Sequence, residues 1–160
     1  MPRFSNPNEG WEEGDVWVSP GKTLYHATLT ENLDSIVANG LLPFQPTLWS
    51  KGRSGERYGE GQIFVFTDKM DATIWAGKIG QSYHPKDYAT AGRVCVVSLK
   101  SPKGDVWEYD TTFDPMKLTS LGLWLKRYEM VPPNRIKAVK VIGHKEIRRA
   151  IKKRDEKYYP

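Results

Sequence analysis

The sequence has one cysteine, Cys95, so no intrachain disulfide is possible and the chain suits a reducing compartment. That cysteine lies inside the apolar run RVCVVSL with no base beside it, the pattern of an inert buried thiol rather than a nucleophile. No stretch approaches the roughly 18 apolar residues of a membrane span, and the opening MPRFSNPNEGWEEGD lacks the apolar segment of a secretion signal. A soluble, cytoplasmic protein is therefore expected. The histidines His26, His84 and His144 are far apart and neither HExxH nor CxxC occurs, which argues against a metal site. A strand followed by GxGxxG, a GxxxxGK[ST] loop and a GxSxG elbow are all missing as well. Rossmann dinucleotide binding, P-loop chemistry and a serine-nucleophile elbow thus have no support.

What is present is an ordinary globular mixture, 39% apolar and 27% charged, with aromatics at 12% including six tryptophans. Its 160 residues fit one domain with a real core. The net charge is +5, and the terminal stretch HKEIRRAIKKRDEKYYP alone carries seven Lys or Arg against three acids. Such a segment either contacts phosphates or an anionic protein surface, or is simply the solvated face of a helix.

Residues 1–15 read as an irregular, Pro- and Gly-bearing arm that packs Trp11, and residues 16–160 as a single domain with a basic tail at 144–160. Two extended pieces flank the Ser19-Pro20-Gly21 turn. A short helix follows, capped by Thr30, with Leu33, Ile36 and Val37 on its apolar face and Gly40 at its end. Residues 43–62 form a long Gly-rich loop, and loops of that length in compact domains are functional or disordered. GQIFVFTD is a strand, and DKMDATIWAGKIG a helix capped by Asp68 with Ala72, Trp75, Ala76 and Ile79 on one face. RVCVVSLK, VWEYD, LWLKRYEM and IKAVKVIGH supply further extended segments, and KEIRRAIKKRDEKYY a short amphipathic helix or frayed tail. This order indicates an α+β fold rather than regular βαβ alternation.

Chemistry-bearing residues are few: Tyr25 and His26 at a strand end, the aromatic-rich IFVFT, and Glu129 in RYEMVPP. On these the sequence resembles the ADP-ribosyltransferase superfamily. LYHATLTENLDSIVANGLLP is similar to its first motif, a strand ending in Tyr-His-Gly-Thr followed by a helix and a Gly-Leu stop, with Ala27 in place of the glycine. GQIFVFTDKMDATIWAGKI is similar to the second, and looks most like the small bacterial enzymes that ADP-ribosylate rifamycins, which carry an Asp-Ala-x-Ile-Trp helix. The resemblance extends from Lys22 to His144.

The resemblance implies a split, twisted β-sheet core with a few short helices around an NAD cleft between two small sheets. It implies mono-ADP-ribosyl transfer with NAD as substrate. His26 would hydrogen-bond the adenosine-side ribose, Ala27 and Thr28 would meet the nicotinamide amide through their backbone, and Tyr25 would pack beside them. Val65 stands where the family has a ring stacked on nicotinamide, so the ring would come from Phe66, in preference to Phe64, or from Trp75, with Thr67 nearby. The acid that steadies the oxocarbenium-like charge would be Glu129, with Asp110 in VWEYD as its rival. Arg53 and Arg57 in the long loop would hold the pyrophosphate, to which guanidinium forks are suited. The acceptor expected from the basic tail is DNA, RNA or a nucleic-acid-associated protein, as for toxins and phage effectors. Other readings are a small-molecule, rifamycin-like acceptor, an RNA 2′-phosphotransferase, or a silent module that binds NAD, ADP-ribose or nucleic acid. Neither a membrane nor a metal partner is expected.

Overall fold

The computed structural model describes residues 6–43, 62–86, 92–111 and 119–160. Within them the strands are β1 (Val16–Val18), β2 (Lys22–Leu29), β3 (Ile63–Phe66), β4 (Val94–Ser101), β5 (Val106–Tyr109), β6 (Trp124–Arg127) and β7 (Ile136–Ile142). The α-helices are α1 (Leu33–Asn39), α2 (Lys69–Tyr83) and α3 (His144–Tyr158). All neighbouring strands run antiparallel in the order β1-β5-β6-β3-β2-β4-β7, so the fold is α+β. The expectation of two small sheets is modified: the strands form one hydrogen-bonded order, narrowed between β2 and β3 to the pair Tyr25↔Phe66.

Alternation along the strands divides the core between the two faces of the sheet. On one face Ala27, Leu29, Phe66 and Trp124 pack with Ala72, Ala76 and Ile79 of α2 and Ile147 of α3. On the other, Leu24, Val65, Leu99 and Leu125 pack with Ile36 of α1 and with Trp107. Four successive β4 residues, Val94 to Val97, are buried because both faces of that strand are covered, which is why its sequence reads as an unbroken apolar run. Each such side chain contributes about 1.5–3 kcal/mol of burial.

Local signals explain the helix ends, with two corrections. Asp68 caps α2 as expected, accepting from the Met70 amide at 2.8 Å, and the helix runs on to Tyr83, beyond the apolar pattern. Thr30 does not cap α1. It opens a 3₁₀ turn, and its hydroxyl donates instead to the Gly92 carbonyl at 2.7 Å, tying this corner to the start of β4. Val37 is 62% exposed, so the buried stripe of α1 is narrower than its spacing suggested. Gly40 ends that helix with φ +78°, and a Cβ there would lie 1.9 Å from the Val131 carbonyl oxygen. The absent side chain lets Leu41 and Val131 exchange two 2.9 Å backbone hydrogen bonds, which pins the chain just after β6 to the end of α1. The last strand stops at Ile142, and His144 starts α3, a full helix whose Glu146 carboxylate accepts from the Gly143 amide at 3.0 Å.

The segment before β1 is fastened to the sheet. Trp11 stacks on Tyr109 at 5.7 Å, and the Tyr109 hydroxyl donates to Asn8 at 2.8 Å. No helix among the described residues is long and apolar enough to cross a membrane.

Candidate functional site

The narrow joint between β2 and β3 is where the ladder hands over to a side chain. β2 makes eight register pairs with β4, and β3 makes four with β6. Across the joint, His26 Nδ1 lies 2.8 Å from the Phe64 carbonyl oxygen. A carbonyl only accepts, so Nδ1 carries the proton and the neutral ring keeps Nε2 as an acceptor. Burial lowers the His26 pKa below the usual imidazole value, outweighing the opposing pull of the Phe64 carbonyl, and favours this neutral form.

Strand alternation sorts the sequence candidates between two faces. His26 and Thr28 share the α1 face with Leu24, whereas Tyr25 and Ala27 face α2. Thr28 is buried and its hydroxyl accepts from Asn32 at 2.9 Å. Phe66 is buried on the α2 face, edge-on to Trp124 at 5.1 Å, and Trp75 packs on the same indole at 5.7 Å. Val65 is buried on the α1 face, so of the two phenylalanines only Phe64 keeps accessible surface. Thr67 clasps Leu123, receiving its amide on the hydroxyl at 2.8 Å and donating its own amide to the Leu123 carbonyl at 3.0 Å. Arg53 and Arg57 lie outside the described residues.

The two candidate acids occupy opposite environments. Glu129 is exposed on the bend after β6, and its backbone is held by a residue that sequence reading passed over. Buried Arg127 donates from Nε to the Glu129 carbonyl at 3.1 Å and from a terminal nitrogen to the Met130 carbonyl at 3.0 Å. Its other terminal nitrogen meets Asp105 at 2.9 Å, and its guanidinium lies 4.2 Å over the Trp107 ring. Burial works to raise the Asp105 pKa, but the Ser101 hydroxyl and Arg127 hold it below the usual carboxylate range. The bend carrying Glu129 therefore has a rigid charged foundation.

Asp110 continues the β5–β6 ladder, its amide donating to the Trp124 carbonyl at 2.9 Å, and its side chain is 2% exposed. The Lys126 ammonium stands 3.9 Å away and also pairs with Glu13, whose carboxylate accepts from the Thr111 amide at 2.9 Å. Burial works to raise the Glu13 pKa, yet these partners bring it below the ordinary value. The segment before β1 thus lies over Asp110 and Lys126.

Hydrogen bonds place the Glu129 bend near the start of β2, away from Leu29: Arg127, which holds the Glu129 carbonyl, meets Asp105, and Asp105 accepts at 2.9 Å from Ser101, the register partner of Lys22. Leu29, Val94 and Ile142 form a row at the other end of β2, while Arg135, just before the Leu99↔Ile136 pair, also meets Asp105 at 3.2 Å. His26 lies inside β2, four residues from Lys22 and three from Leu29, and Glu129 two residues beyond Arg127.

Asp71 is the other group that sequence reading missed. On the inner side of α2, its carboxylate accepts from the Leu121 amide at 2.9 and 3.1 Å and from the Gly122 amide at 2.9 Å. Burial pushes its pKa up to about 7 against those hydrogen bonds, with the Asp68 charge adding to the rise. It borders a cavity of about 20 Å³ with Trp75, Lys78, Ser120, Trp124 and Arg154. An acid among Ala72, Trp75 and Ala76 on a core-facing helix was the available signal. Among the described residues no group of three His, Cys, Asp or Glu is placed to hold a metal ion. The chain matches no protein-family model, and no curated protein is significantly similar to it in sequence.

Proposed function

We propose that the protein transfers ADP-ribose from NAD to an acceptor and releases nicotinamide, with His26 holding a ribose and Glu129 as the acid. The observation that carries this reading is the fixed tautomer of His26. Its Nδ1 proton is committed to Phe64, so Nε2 is an acceptor matched to a ribose hydroxyl. Glu129, exposed on a bend braced by Arg127, suits the second role.

In the proposed reaction the bond between the nicotinamide nitrogen and the ribose C1′ breaks, and its electron pair returns to the pyridinium ring, which leaves neutral. Positive charge spreads over C1′ and the ring oxygen, where the Glu129 carboxylate stabilises it electrostatically. A nucleophile of the acceptor then bonds to C1′ and gives up its proton. The positive charge of the chain favours DNA, RNA or a protein bound to them as acceptor.

One observation favours a second reading. Val65 and Phe66 are both in the core, so the preferred stacking ring is spent on packing, as in a module that binds NAD or ADP-ribose without chemistry. Incubation with labelled NAD and DNA, RNA or cell extract separates the two. The enzyme reading expects label transfer that falls about 100-fold or more in Glu129→Gln and persists in Asp110→Asn. Transfer that survives Glu129→Gln removes Glu129 from the site, and NAD binding with neither transfer nor hydrolysis selects the module.

A further inference from the structure

We infer that the outward face of α3 is a docking surface for the phosphate backbone of a nucleic acid. The inference gives the acceptor of the proposed reaction a place to bind, but its evidence is independent of NAD. The helix holds seven basic and three acidic side chains, while the remaining 145 residues hold 17 basic and 16 acidic ones. The positive excess of the molecule is therefore concentrated in one element.

Packing fixes which side of α3 meets solvent. Ile147 and Ala150 are buried, Ile151 packs on the core, and Gly77 of α2 lets Ile147 approach closely. Lys145, Arg148, Arg149, Lys152 and Lys153 are left exposed on the outer side. None of these five forms an ion pair with a described residue. Two of the helix's acids are occupied elsewhere, Glu146 by the Gly143 amide and Asp155 by Arg154. Successive cations three and four residues apart repel one another, and those in the first turns oppose the helix dipole. A strand of phosphates relieves both penalties.

The occupant follows from charge and from what the face lacks. Between Lys145 and Lys153 the exposed side chains include no large apolar group that could enter a bilayer, because the apolar side of the helix is spent on the core. The cations also recur along the helix rather than converging on one point, as suits a linear polyanion.

The test is fluorescence anisotropy of the full chain, without NAD, on labelled DNA and RNA oligonucleotides of about 20 nucleotides at about 50 to 200 mM salt. Five phosphate contacts give a slope of log K against log salt of about −3.5 to −4.5. Arg149→Glu with Lys152→Glu is expected to weaken binding about tenfold or more and to make the slope shallower by about 1.5. The pair Lys22→Glu with Lys103→Glu, exposed at the opposite end of β2 and in the β4–β5 turn, changes net charge equally and is expected to stay within about twofold. Circular dichroism checks that both variants are folded. Equal losses in the two pairs, an unchanged α3 variant, or binding to phosphatidylserine vesicles but not to oligonucleotides would each overturn the inference. Failure of this binding leaves NAD turnover on other acceptors untouched, and failure of NAD turnover leaves the binding untouched.

Discussion

The ring of His26 gives its Nδ1 proton to the Phe64 carbonyl, so truncation removes a partner at the joint of the sheet. His26→Ala is expected to cost about 1–3 kcal/mol in urea unfolding as well as nucleotide binding. Its pH behaviour has a definite sign. The folded pKa is below the ordinary value of 6.5, so the contribution of His26 is present above about 6.5 and is lost as pH falls through the folded value. Asp71 runs the other way. Its folded pKa of about 7 exceeds the ordinary 3.8, so stability held under acidic conditions is lost as pH rises from about 4 through about 7. Unfolding curves across that range should flatten in Asp71→Asn and lose their acid-side fall in His26→Ala. An unchanged slope in Asp71→Asn assigns the titration to another group. At this scale His26 and Glu129 stand out in the sequence as candidates, beside an apolar run and a Pro-Pro turn. The strand end expected at His26, however, lies three residues on, at Leu29, because β4 pairs with β2 that far. Asp71, Arg127 and Lys126 were not legible, because their partners Leu121, Asp105 and Glu13 are 50, 22 and 113 residues away in the chain.

Between elements, α2 and α3 meet closely at Gly77, where a Cβ would come within 3.1 Å of Ile147. Gly77→Leu is expected to push α3 outward and destabilise the protein by about 1–3 kcal/mol, read as a fall in thermal midpoint. Gly77→Ala sets the gain in helix propensity against the same crowding and should change stability less. A leucine variant as stable as the parent would mean that the two helices are not held together here. Periodicity made α2 and β4 legible, since Ala72, Ala76 and Ile79 repeat at helical spacing and Val94 to Val97 form a β-branched and apolar run. It misjudged α1, because Thr30 had a better partner in the Gly92 carbonyl than in its own helix. Strand order was hidden as well: pattern shows which face of a strand is buried, whereas pairing β1 with β5 or β2 with β4 depends on distant packing.

For the molecule as a whole, the joint at Tyr25↔Phe66 divides the ladder into a half with β2, β4 and β7 and a half with β3, β6, β5 and β1. Native-state hydrogen exchange should find the first half, with its eight- and six-pair ladders, more protected than the second, whose ladders have four, two and three pairs. Uniform protection across the joint would mean that the sheet opens as one unit. Cys95 lies in the middle of the better-paired half, opposite Thr28 and Val141, fully buried, with burial pushing its thiol up to about 12. A thiol reagent therefore finds nothing to attack until β4 comes away from its neighbours. Because this is the chain's only sulfhydryl, its modification rate is a clock for that opening. Any ligand that binds only the closed form slows the clock by a factor of one plus its concentration over Kd. The protein carries its own affinity meter, able to weigh NAD, ADP-ribose and oligonucleotides without a label on any of them.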